Sequence, residues 1–336
     1  MFKSTFMAAL GVVVALVALV DVPGSPAQAQ STMRGGADLR AIEERNRRAY
    51  GDRRQPNRPN RAEAAAPTAE ETLAAAQTLT ASAGLACQVS QANLLSVVSG
   101  ESRVYEAACA VGPGYILIAS TPPQTFDCVL LADAQARQRA AAAGAPAAPA
   151  DPSGATEITC VMPQNTDVMR VMVDYGRQAN LPCVPNQGGP TGKQIGGEEL
   201  YEVGCDGVDG YVLQRLAAGG FKTTECAQVV DATLACQFST AQEQAASLKA
   251  RFAGNAEAAA CDVIQARYMG ANTNGAFWEA RCGAGNGVIV RFNAEYAVQQ
   301  VYACEVAQRI GGGCRLTVVP EAPAAEAPAA APAAQQ

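Results

Sequence analysis

The stretch "LYEVGCDGVDGYVL", Leu200 to Leu213, decides the fold, because the chain repeats it twice more. "VYEAACAVGPGYIL" runs from Val104 to Leu117 and "FWEARCGAGNGVIV" from Phe277 to Val290. Each copy has an aromatic residue, then Glu, then Cys, then a loop ending in Gly before an apolar return. Apolar residues lead into and out of a Gly-closed loop, which is the pattern of a β-hairpin. The closing glycine is expected to supply a positive φ. Pairing about the loop centre sets Cys109 opposite Tyr115, Cys205 opposite Tyr211 and Cys282 opposite Val288. It also sets Glu106 opposite Ile118, Glu202 opposite Gln214 and Glu279 opposite Arg291. Strand alternation puts Tyr105, Ala107 and Cys109 on one face, with Tyr201, Val203 and Cys205, and Trp278, Ala280 and Cys282, as their counterparts. That face reads as core, and the three glutamates are expected to look outward.

The cysteines extend the repeat beyond the hairpin. All twelve fall into three groups of four: 87/109/128/160, 183/205/226/236 and 261/282/304/314. The first-to-second gaps are 22, 22 and 21, and the third-to-fourth gaps are 32, 10 and 10. The outlying gap holds an Ala/Pro-rich insertion at 132–157. Each group is preceded by a helix-like stretch: "TAEETLAAAQTLTASAGLA", "NTDVMRVMVDYGRQANLP" and "TAQEQAASLKARFAGNAEAAA". Thr68 with Glu71 and Thr240 with Glu243 have capping-box spacing, and Asn165 or Thr166 can cap the middle helix. Turn-rich text lies midway between the first two cysteines ("VSGES", "TGKQIGG", "GANTNG"), so that pair brackets another hairpin. The fourth cysteine is expected in a last strand. The fold class is therefore α+β: three tandem modules, each a helix on a small antiparallel sheet, in the order α-β-β-β-loop-β. Four cysteines allow three connectivities. The hairpin geometry favours first-to-second and third-to-fourth: Cys87–Cys109, Cys128–Cys160, Cys183–Cys205, Cys226–Cys236, Cys261–Cys282 and Cys304–Cys314.

Residues 1–29 read as a signal peptide: Lys3, the apolar stretch Phe6–Val20, and the A-x-A site Ala27-Gln28-Ala29. Export to the periplasm or the exterior permits disulfides, and no later segment reads as a membrane span. Residues 30–66 form a polar arm. Its 30–63 part carries nine arginines against five acids, a net charge of +4. It reads as a solvated tether, or more sharply as a patch for an anionic envelope surface. The modules follow at 67–164, 165–239 and 240–319, and the Ala/Pro stretch 320–336 reads as a disordered tail. Residues 64–336 carry 15 basic and 25 acidic residues, and no nucleic-acid partner is expected of this body.

The chain contains no histidine, which excludes a Ser-His-Asp triad, a Cys-His dyad and His-ligated zinc. No C-x-x-C occurs, so a thioredoxin-like site lacks its motif. "GGPTGKQ" at 188–194 lacks phosphate-loop spacing, and "DGVDG" lacks the calcium-loop pattern. No metal or cofactor is expected. Glu106, Glu202 and Glu279 remain as weak catalytic candidates, the only acids repeated in the shared phrase. Their structural reading is the exposed half of a cross-strand pair, with Arg291 beside Glu279 and Arg215 diagonal to Glu202. Tyr105, Tyr201 and Trp278 read as core. The expectation is a non-enzymatic binding or scaffold protein that meets an unknown envelope protein or polymer through variable turns and the insertion. The alternative is a carboxylate-dependent hydrolase of an envelope polymer.

Overall fold

A computed structural model describes residues 66–97, 102–143 and 158–317. The signal peptide, the basic arm, the second half of the insertion and the C-terminal tail lie outside the described residues.

Three four-stranded antiparallel sheets follow one another along the chain, each a simple meander. The first holds β1 (Val89–Val97), β2 (Arg103–Cys109), β3 (Tyr115–Ile118) and β4 (Gln124–Asp127). The second holds β5 (Pro185–Ile195), β6 (Glu198–Cys205), β7 (Val208–Arg215) and β8 (Phe221–Glu225). The third holds β9 (Val263–Asn272), β10 (Gly275–Cys282), β11 (Val288–Phe292) and β12 (Val298–Ala303). One helix packs on each sheet: α1 (Ala69–Ser82), α4 (Val168–Gln178) and α5 (Ala241–Phe252). Both capping boxes form, at Thr68/Glu71 and Thr240/Glu243. The middle helix is capped by Asp167, whose side chain accepts from Arg170 N. Asn165 and Thr166 sit instead in a separate turn, α3 (Pro163–Thr166), where Asn165 is buried for another purpose.

Six disulfides join first to second and third to fourth cysteine in every module. Separations of 10 to 32 residues between bridged cysteines correspond to about 3 kcal/mol each in the chain-entropy account. Modules of this size need such support. A fold built on six cystines is compatible with an oxidising compartment, extracellular or periplasmic. Among the described residues no helix is long and apolar enough to cross a membrane.

Two details differ from the expected order. The fourth strand comes before the third cysteine, and the segment around the fourth cysteine is an irregular strap rather than a strand. The strap takes its backbone partners from a side chain, as described below, so it needs no ladder. The hairpin register also slips by two: Tyr115 faces Ala107, Tyr211 faces Val203 and Val288 faces Ala280. Cys109 is paired with Val89 across β1 and bonded to Cys87, and it stays out of the β2–β3 ladder. A two-residue slip leaves every side chain on its assigned face. The first part of the insertion is helical, α2 (Cys128–Ala143). Ala, Gln and Arg favour helix, and no proline interrupts before Pro146. Asp127 Oδ1 accepts from Val129 N at 2.9 Å at its start.

Successive modules are locked by repeated contacts. Val129, just after the third cysteine of module 1, lies in the core of module 2 with Met172, Tyr175 and Tyr201. Ala227, in the same place in module 2, packs on the core of module 3. Just before the third cysteine stands an acid that reaches the next module. Asp127 meets Arg215 at 3.1 Å, beside Tyr175 and over the ring of Tyr201. Glu225 pairs with Arg251, whose guanidinium lies 5.6 Å from the ring of Trp278. Burial raises the Asp127 carboxyl above its usual range, with Arg215 opposing. It also pushes the Tyr115 hydroxyl up to about 12. A third contact ties the hairpin loop to the next helix. Gly112 N donates to Asp174 Oδ2 at 2.9 Å, and Asp209 N to Ser247 Oγ at 2.7 Å. Asp174 and Ser247 are each seven residues past their helix caps, Asp167 and Thr240.

Arg215→Met strands the buried Asp127 carboxylate and should cost about 3 kcal/mol in urea unfolding. The double variant Asp127→Asn/Arg215→Met should recover most of that loss. Equal losses from the two variants would mean that Arg215 acts by packing alone.

Candidate functional site

The repeated glutamates are not on the surface. Glu106 and Glu279 are fully buried and Glu202 is nearly so. Alternation places them opposite the helix, as expected, but that second face is also covered. In β2 every residue from Val104 to Cys109 is buried, and in β6 every residue from Leu200 to Cys205. The cover is the strap that follows the fourth cysteine. Single-sequence patterning could not find it, because the strap has neither helical nor strand periodicity.

Each carboxylate holds the strap by its backbone. Glu106 Oε1 accepts from Val161 N at 3.0 Å, Met162 N at 2.8 Å and Asn165 Nδ2 at 2.9 Å. Glu202 Oε1 accepts from Gln237 N at 2.6 Å and from Phe238 N. Glu279 Oε1 accepts from Arg315 N at 2.7 Å and Leu316 N at 2.6 Å. In all three modules the donors are the two residues after the fourth cysteine, and the acceptor lies three residues before the second. The strap's amides find in one carboxylate what a neighbouring strand would otherwise supply. Burial pushes the Glu202 carboxyl up, and the two backbone donors oppose it.

The closing glycines serve the same arrangement. Gly114, Gly210 and Gly287 do not have positive φ; they give room to the strap. A Cβ on Gly114 would lie 1.9 Å from Asn165 Oδ1, and one on Gly287 2.2 Å from Thr317 Oγ1. On Gly210 it would lie 2.4 Å from the Val203 carbonyl, with Ser239 close by. Asn165, Ser239 and Thr317 lie five, three and three residues after the fourth cysteine of their modules, so the Gly-closed loop borders the path of the chain as it leaves that cysteine.

The carboxylate also lies close to the module's second cystine. One oxygen of Glu106 and the Sγ atoms of Cys128 and Cys160 lie within 4.8 Å of one another. The same holds for Glu202 with Cys226 and Cys236, and for Glu279 with Cys304 and Cys314. Both sulfurs are spent in the disulfide, so each triad offers a metal one carboxylate and no thiolate.

The ion pairs expected of the glutamates are replaced by others. Glu279 pairs with Arg267 on the neighbouring strand, whose Nε donates to Oε2 at 2.6 Å, and not with Arg291. Arg215 serves Asp127 of the preceding module rather than Glu202. The three glutamates are not brought together: each stays under its own strap. Tyr105, Tyr201 and Trp278 all lie in the helix-side cores. The side chains that sequence reasoning missed are Asp127, Glu225 and Arg251. Their signal was available in the repeat, as an acid directly before the third cysteine in modules 1 and 2.

No family model matches the chain, and no curated protein or solved structure matches it.

Glu106→Ala should destabilise the protein by about 3 kcal/mol in chemical denaturation, since the buried donors Met162 N and Asn165 Nδ2 and the part-buried Val161 N lose their acceptor. Glu106→Gln, which keeps one acceptor oxygen, should cost less than half as much. A second outcome follows from the raised Glu202 carboxyl. The folded state then binds its proton more tightly than the unfolded chain does. The associated stability is present below the unfolded value and is lost as pH rises through the folded one. The stability of the wild type relative to Glu202→Gln should therefore rise as pH falls from 7 toward 4.5, as measured by urea titration at each pH.

Proposed function

We propose that the protein is a non-enzymatic binding or scaffold protein of the cell envelope, presenting three disulfide-stapled modules as one connected surface. The observation that carries this reading is the engagement of Glu106, Glu202 and Glu279. The acids that repeat within the shared phrase accept strap amides under cover, so they serve the fold. A glycosidase-type mechanism needs two carboxyl groups facing one cleft, and these three are in separate modules. The locked junctions also support the reading, because they fix the modules relative to one another, as a multi-point contact requires. The partner is an envelope protein or polymer. The arginine-rich segment 30–63 would add attraction to an anionic surface, and that attraction weakens with salt.

The test is co-sedimentation of residues 30–336 with washed, insoluble envelope polymer, with soluble fragments assayed in the same tubes. Saturable binding without fragment release is the expected result, and deletion of 30–63 should weaken binding most at low salt. Release of fragments that is lost in Glu106→Gln, Glu202→Gln or Glu279→Gln would overturn the proposal in favour of the hydrolase.

A further inference from the structure

We infer that the buried glutamate of each module is an electrostatic guard that slows reductive opening of the cystine beside it. Reduction by a small thiol begins when its thiolate attacks one Sγ. The S–S bond breaks, a mixed disulfide forms and the other cysteine leaves as a thiolate. A second thiolate of the reductant then displaces the remaining cysteine and departs as the oxidised reductant. Two electrons pass to the protein, and the two cysteine sulfurs take up protons from solvent. Both steps bring negative charge to the sulfurs. A carboxylate whose oxygen lies within 4.8 Å of both Sγ atoms opposes the incoming anion and the departing one alike.

The chain contains its own controls. Burial does not separate the two cystines of module 1: each has one buried cysteine, Cys109 or Cys128, and one half-buried, Cys87 or Cys160. Cys87 and Cys109 have only uncharged chain neighbours, Ala86, Gln88, Ala108 and Ala110. Of the other acids beside the guarded cystines, Asp127 is offset by Arg215 and Glu225 by Arg251, while Glu305, which bonds the neutral Asn286, is exposed and screened by solvent. Module 3 differs in one respect. Arg267 contacts Glu279 and offsets its charge, so the guard is weakest at Cys304–Cys314.

The experiment reduces the oxidised protein, at one pH and low salt, with cationic cysteamine or anionic mercaptoethanesulfonate. Opened cysteines are trapped by alkylation and each cystine is mapped by mass spectrometry. The quantity read is the ratio of the cysteamine rate to the mercaptoethanesulfonate rate at each cystine, in which accessibility largely cancels. For Cys128–Cys160 this ratio should exceed that for Cys87–Cys109 by roughly fivefold or more, as expected for a unit charge at such range. The excess should be smaller at Cys304–Cys314. Glu106→Gln should bring the ratio at Cys128–Cys160 down to that of Cys87–Cys109 and leave the latter unchanged. Equal ratios at the two cystines of the wild-type protein would overturn the inference, even if the variant fails to fold. A ratio at Cys128–Cys160 that survives Glu106→Gln in a folded variant would also overturn it. A guard that only tightened the structure would slow both reductants equally and leave the ratio flat.

Discussion

Everything on the second face of these sheets depends on one interaction: a buried carboxylate that accepts the backbone amides of a chain segment with no secondary structure of its own. A small sheet with a helix on one side leaves its other side to solvent, and a chain of this length cannot cover that side with a second helix in every module. The strap solves the problem with few residues. Irregular backbone is normally kept at the surface because its polar groups need water. Glu106, Glu202 and Glu279 supply an acceptor in place of water, so the strap can lie flat over β2, β6 and β10; β2 and β6 become buried on both faces, and β10 is covered at Glu279 while Arg281 stays exposed.

The strap then becomes the link to the next module. After Val161 and Met162, held by Glu106, the chain passes through α3 into α4. After Gln237 and Phe238, held by Glu202, it passes into the cap of α5. The closing glycine leaves room for this passage, and the fourth cysteine fixes its start. The glycine and the glutamate of the repeated phrase thus share with the fourth cysteine, which lies downstream of it, the task of aiming the next helix.

The sequence disclosed the modules through cysteine spacing, the helices through Thr68/Glu71 and Thr240/Glu243, and the helix-side core through alternation at Tyr105, Tyr201 and Trp278. These are local signals, readable over a few residues. The position of the glutamates was legible as a face, but their environment was not. A glutamate on the strand face opposite the core residues reads as solvent-facing, and what covers it lies 35 to 59 residues away. The closing glycines gave the right element for the wrong reason, since their value lies in close approach rather than in φ. The junction acids were missed because an acid beside a cysteine has no meaning until the next module supplies its arginine.

The staggered plugs carry a consequence for how the molecule comes apart. Val129 belongs to module 1 through the disulfide of its neighbour Cys128 and to module 2 by its packing, and Ala227, next to Cys226, is divided in the same way between modules 2 and 3. Covalent units and packing units are thus offset along the chain like overlapping roof tiles. In a repeat array, such neighbour terms set how sharply the whole melts. Opening one core here removes a wall from the next, so the packing couples neighbouring modules and favours a shared transition although each owns its staples.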